Sequence, residues 1–310
     1  METGMNLKAV FLMILMIFSL DSFAAEPYLK KQFQVSGNAM LDVETSGASV
    51  SVTGGNGNKI VVEMFVKRNG QEMSPGNAEV DRLLENYSIT IDQSGNTVSV
   101  KVKGKNNMNW KRGERLNLSF KIMAPTEVSS EFQSSGGSIS IYGVQGNQNA
   151  STSGGSIRVA ESGGKVNTRS SGGSFSLEEF IGDVDVETSG GAVKIDGMTG
   201  MLSVRTSGGS VSIENISGGI NASTSGGSIR ASLLRIDEDL NFRTSGGSVT
   251  AMIPEGLGLN LNLRGGRVNT KLPNFDGEIK RDLIVGKLNG GGPELNMESS
   301  GGSINLEFIN

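Results

Sequence analysis

The stretch that decides the fold is Ser203-Val204-Arg205-Thr206-Ser207-Gly208-Gly209-Ser210-Val211-Ser212-Ile213-Glu214. Near-copies of it recur from Phe132 to Val249, with the first glycine at Gly136, Gly154, Gly172, Gly190, Gly208, Gly226 and Gly246. The steps are 18 residues, then 20 for the last. Self-similarity at a fixed period of this size marks stacked units, none of which can bury its apolar face alone. Two residues after the second glycine stand Ile139, Ile157, Phe175, Val193, Val211, Ile229 and Val249. Two further on stand Ile141, Val159, Leu177, Ile195, Ile213, Ala231 and Ala251, with polar residues between the two columns. This period-2 alternation is a short strand with one buried side. A second strand follows half a repeat later, at Val184 and Val186, Leu202 and Val204, Ile220 and Ala222, and Leu240 and Phe242.

Each unit therefore reads as strand, turn, strand, turn, and the units stack as an all-β solenoid whose neighbouring strands lie about 4.8 Å apart. The paired glycines fit a corner that needs positive φ or close approach between coils. The hydroxyl column Ser134, Thr152, Ser170, Thr188, Thr206, Thr224 and Thr244 is expected to form a hydrogen-bonded ladder beside that corner. A flexible Gly/Ser linker would not hold apolar columns in register. The glycines are not followed by G-K-S/T, as a phosphate loop requires, and the S-G-G-S turns carry no aspartate, as a calcium-binding β-roll requires.

Composition narrows the chemistry. The 310 residues contain no cysteine and no histidine, and the formal charge is −4. Disulfides, a thiol nucleophile and the commonest general base are thereby excluded, and no basic field draws nucleic acid. The sequence gives no cofactor or metal set. Residues 1–25 read as a signal peptide: Lys8 is the positive start, Ala9 to Leu20 the apolar run, and Ser22-Phe23-Ala24 a cleavage site near Ala24 or Ala25. An uncleaved anchor is the competing reading. The apolar run stops at Asp21, short of the length that spans a bilayer. The expected location, after export, is the periplasm, the cell surface or the secreted fraction.

Residues 26–130 read as a β-rich N-terminal cap with one short helix capped at Ser74 or Asn77, and 131–310 as the repeat solenoid with irregular C-terminal coils. Thr45 to Val52 resembles a degenerate first repeat. Ser88 to Asp92 and Thr97 to Val102 form a hairpin around Ser94-Gly95-Asn96. The step from Gly265 to Gly301 is 36 residues, which suggests that the register runs on through the irregular stretch. Lys101, Lys103, Lys105, Lys111, Arg112 and Arg115 flank the single tryptophan, Trp110. Of these, Lys105, Trp110, Lys111, Arg112 and Arg115 are the candidate ligand patch, since basic residues around an aromatic suit nucleic acid or an acidic glycan. The alternative is an exposed loop between two strands.

The exported N-terminus, the strand ending in Met123-Ala124-Pro125, the S-G-G-S-x-apolar-x-apolar repeats, the glycine-rich Gly286 to Pro293 and the closing Leu295-Asn296-Met297-Glu298-Ser299-Ser300-Gly301-Gly302-Ser303-Ile304 together resemble the bacterial DUF4097 family. That resemblance covers roughly residues 33–310. It implies a β-solenoid, an adhesin-type role and no catalytic residues.

Three roles are then open. The first is a non-enzymatic envelope scaffold or adhesin that binds an envelope protein or glycan, or itself through the solenoid ends. The second is a polysaccharide-active enzyme using paired carboxylates among Glu178, Glu179, Asp183, Asp185 and Asp196, or among Asp237, Glu238 and Asp239. The third is envelope-stress sensing through a bound partner. Surface binding through a flat hydroxyl array is disfavoured, because the column beside the threonines (Gln133, Ser151, Arg169, Glu187, Arg205, Ser223, Arg243) is charged and irregular.

Overall fold

A computed structural model describes residues 26–105 and 115–309. Nearly all described secondary structure is β, joined in one continuous sheet with a single helix, Ala78–Leu84. The repeats pair in parallel and in register with the next copy. Val193 faces Val211, Ile195 faces Ile213, Leu202 faces Ile220 and Val204 faces Ala222. Identical columns thus become apolar ladders, and Ile139, Ile157, Leu177, Val204, Ile213 and Ala251 are all buried. Each fully buried aliphatic side chain contributes roughly 1.5–3 kcal/mol, much of it offset by ordering the chain.

We call the strands that lead into the glycine corner the front face and the strands that leave it the back face. The coil has three sides, one more than the alternation suggests. At Gly143, Glu161, Glu179, Gly197 and Asn215 the backbone is left-handed, with φ of 67°, 48°, 50°, 70° and 57°. That single residue shifts the alternation by one. The next inward positions are Val144, Ser162, Phe180, Met198 and Ile216, and they form a third buried column. Period-2 reading stops at the bulge, so this short side is invisible to it.

The corner itself is asymmetric. A Cβ on Gly155 would collide with the Gly137 carbonyl of the preceding coil, whereas a Cβ on Gly154 would meet nothing. Neither residue has positive φ. Close approach of coil to coil, not backbone conformation, therefore fixes the second glycine. The hydroxyl column holds this contact, but not as the expected hydroxyl-to-hydroxyl ladder. Thr224 Oγ1 accepts from the Gly227 amide at 3.2 Å and donates to the Gly209 carbonyl of the coil before at 2.9 Å. Thr206 and Thr244 repeat the arrangement. Among the described residues of this column, Thr45 alone reaches the next hydroxyl, Ser134, at 3.2 Å. These threonines are buried, and with Thr188 each staples its coil to the one before through buried backbone groups.

Both ends of the stack are interleaved. The degenerate first repeat is a true coil: Ala39–Thr45 pairs with Val128–Ser134, and Ser49–Gly55 with Ile139–Tyr142. Its other edge pairs with Thr97–Gly104 and Asn117–Pro125. Coil 39–55 is thus held between a later coil, 97–125, and the body of the stack. At the opposite end, coil 294–309 lies between 240–254 and 259–269. Gly302 stacks on Gly247, and the Gly266 amide donates to the Gly302 carbonyl at 2.9 Å. The 36-residue step from Gly265 to Gly301 is therefore not two successive coils. The two corners are neighbours in reversed order, because the hairpin Phe275–Ile279 and Leu283–Leu288 turns the chain back on itself.

Antiparallel strands close the edges: Tyr87–Ser94 lies on Thr97–Gly104, and Lys59–Arg68 on Asn117–Pro125. The helix begins at Asn77, whose side chain accepts from Glu79 and Val80, and it inserts Val80 and Leu83 into the core. It ends at Leu84.

Two predictions follow from this packing. Gly155→Ala should lose about 1–3 kcal/mol or more in a urea melt, while Gly154→Ala stays within about 0.5 kcal/mol of the parent. Thr168 faces the core with an unpartnered hydroxyl, in register with Val186 in the next coil. Thr168→Val should therefore raise stability by about 1 kcal/mol, and an unchanged or lower midpoint would contradict the packing described.

Candidate binding face

The outer surface of the front face carries two polar columns. One reads Asn167, Asp185, Ser203, Asn221, Asn241, Asn296, Asn262 in the order of the strands. The other reads Arg169, Glu187, Arg205, Ser223, Arg243, Glu298, Arg264. Strand alternation alone points these side chains outward, since their neighbours Val204, Ala222, Phe242 and Met297 are buried. Toward the C-terminal end the columns line a groove of about 600 Å³.

The asparagines act as a partial ladder: Asn296 Nδ2 donates to Asn241 Oδ1 at 3.0 Å, and further along Asn167 donates to Asn149 at 2.9 Å. Arg169 pairs with Glu187 at 3.2 Å, Arg205 with Asp185 at 3.5 Å and Arg243 with Glu298 at 2.8 Å. Arg264 makes no ion pair among the described residues. Such exposed pairs contribute at most about 1 kcal/mol each, so they leave their arginines available to a ligand.

Of the patch read from the sequence, Lys105 and Arg115 are exposed. They stand where coil 97–125 replaces the corner that Ser46-Gly47-Ala48 makes in coil 39–55. Trp110, Lys111 and Arg112 lie outside the described residues. The Tyr87 hydroxyl donates to the Leu116 carbonyl at 3.2 Å and accepts the Leu116 amide at 3.0 Å, and burial pushes the phenol pKa up. Lys101 and Lys103 are bonded to Asp42 and Glu44 of the adjacent strand.

The structure does not gather the candidate carboxylates into a cleft. Glu178 and Asp196 are neighbours in register on the back face. Glu178 is held by Arg158 at 2.7 Å, and Asp196 accepts from Asn215 at 2.8 Å. Asp183 and Asp185 are on the front face, Glu179 occupies a left-handed bulge, and Asp237 pairs with Arg235. Asp239 accepts the Glu294 amide at 2.8 Å and so serves the docking of the inserted coil. Among the described residues no cluster of acidic groups suits a metal ion, and no helix is long and apolar enough to cross a membrane.

The Toastrack DUF4097 family model matches residues 38–307. The chain belongs to this family. The matched span opens at the first coil and closes within the inserted one, so this Toastrack unit includes both interleaved ends. No curated protein matches the chain. Among solved structures, a "putative lipid binding protein" from Parabacteroides distasonis is 14% identical, with a TM-score of 0.46 over 90% of this chain and 96% of its own. A "putative adhesin" from Bacteroides fragilis is 13% identical, with a TM-score of 0.36 over 90% and 96%. A "putative cell adhesion protein" from Clostridium sporogenes is 10% identical, with a TM-score of 0.21 over 92% and 100%.

The sequence shows the arginine column only as far as Arg243, where it reads as charged and irregular; Glu298 and Arg264 join it through the reversed coil order. In the Toastrack stack these outward amides add little stability. Asn241→Ala and Asn262→Ala should each stay within about 0.5 kcal/mol of the parent. Thr206→Val, which strips two buried backbone groups of their partner, should cost about 1–3 kcal/mol in the same urea titration.

Proposed function

We propose that this protein is an exported, non-enzymatic scaffold that adheres to a glycan of the cell envelope through the groove on its front face. The observation that carries this reading is the run Asn221, Asn241, Asn296 and Asn262, four amides on consecutive strands beside a column of arginines. A side-chain amide both donates and accepts, which matches the hydroxyls and acetamides of sugars. Strands fix such groups more firmly than loops do. The export reading rests on the composition of residues 1–25. The position of the candidate carboxylates favours binding over hydrolysis: the one in-register pair, Glu178 and Asp196, is on the open back face and each member already has a partner.

The test is co-sedimentation of the processed full chain with insoluble envelope polysaccharide. The parent should be retained, Asn241→Ala/Asn262→Ala should lose most of that retention, and the back-face variant Ser176→Ala/Ser212→Ala should behave as the parent. Equal retention of all three would remove the front face from the function. Release of new reducing ends from the polysaccharide would replace adhesion with hydrolysis.

A further inference from the structure

The arginine column has a period of its own. In strand order Arg169, Arg205, Arg243 and Arg264 occupy alternate rungs, separated by Glu187, Ser223 and Glu298. Rungs lie about 4.8 Å apart, so successive arginines recur about every 9.6 Å along the stack. In the sequence the run looks broken after Arg243. It continues because coil 294–309 places Glu298 between Arg243 and Arg264.

From this spacing we infer that the groove takes a linear anionic polysaccharide lying along the solenoid axis, with an acidic group on every second sugar. The inference rests on the glycan-adhesion reading above and names its ligand class. An extended pyranose chain advances by close to one rung per sugar, so alternate sugars fall on alternate rungs. A carboxylate on those sugars meets a guanidinium, which binds it through two parallel N–H donors. The sugar between meets the amide column at Asn221, Asn241, Asn296 or Asn262. Charge complementarity favours this occupant: the groove is lined by Arg205, Arg243 and Arg264 against Glu298, with Asp185 beside Arg205 at its rim, on a chain whose formal charge is −4. The spacing also keeps the cations off adjacent rungs, where like charges repel, so the array is stable while empty.

The experiment is calorimetric titration of the processed full chain with an octasaccharide of alternating uronic acid and N-acetylhexosamine. The comparison ligands are the same octasaccharide with its carboxyls reduced to alcohols and an octasaccharide of galacturonic acid, charged on every sugar. The alternating ligand should bind, the reduced one on the order of tenfold more weakly, and the uniformly charged one no tighter than the alternating one. Arg205→Gln and Arg264→Gln should each weaken binding on the order of tenfold with unchanged thermal midpoints. Lys194→Gln and Arg230→Gln, which remove equal charge from the back face, should leave affinity unchanged. Affinity should also fall as salt rises.

If the reduced ligand binds as tightly and Arg205→Gln has no effect, the charge inference fails while glycan adhesion stands. If the uniformly charged ligand binds tighter, recognition follows total charge and the alternate-rung register is wrong. If no saccharide binds, both readings fall together.

Discussion

The structure depends on one contact repeated down the stack: the second glycine of each corner pressed against the backbone carbonyl of the coil before it. A methyl group there would hold successive coils apart on the side where the front and back faces join. Once the backbones meet, the buried threonine hydroxyl has both a donor and an acceptor within reach, and it ties the corner in two directions. In-register ladders of Ile, Val and Leu then follow without further specification, because parallel pairing at a fixed offset puts like beside like. The short third side depends on the same logic. Its left-handed residue turns the chain and its inward Phe180, Met198 and Ile216 fill the remaining edge of the core.

Much of this was legible in the residues, because the repeat presents the same problem and the same solution many times. The two long strands, the corner, the hairpin around Ser94-Gly95-Asn96 and the Asn77 cap all follow from patterns that act over a few residues. The third side was not legible, since one bulged residue moves the inward set from odd to even positions and period-2 reading has no term for it. The coil order at the ends was hidden for a different reason. Alternation says which side chains face inward, but says nothing about which strand lies alongside. Gly265 and Gly301 kept the arithmetic of the repeat while standing in reversed order.

The same blindness applied to the site. The basic patch around Trp110 was found by composition, which detects clusters along the chain; of its members the structure describes Lys105 and Arg115. The front-face columns are clusters across the chain, assembled from residues tens of positions apart. A solenoid converts an unremarkable polar residue in each repeat into an ordered array, and the array acquires a period that none of its members has alone. The 20-residue repeat shows the tolerance of this device: its extra residues are absorbed between Leu233 and Leu240, and the pairing of Phe242 with Ala222 resumes in register.

The interleaved ends bear on how the molecule yields to force and to proteases. In a simple stack the outermost coil has one free edge, and unravelling proceeds rung by rung from there at low cost. Here coils 39–55 and 294–309 are each gripped on both edges. A tug on residue 309 loads a rung inside the stack, and freeing it requires breaking two ladders together instead of one. The same arrangement sets a condition on assembly. The facing edges of 240–254 and 259–269 are matched only by residues 294–309, so this end of the stack is complete only when the last strands of the described chain are in place.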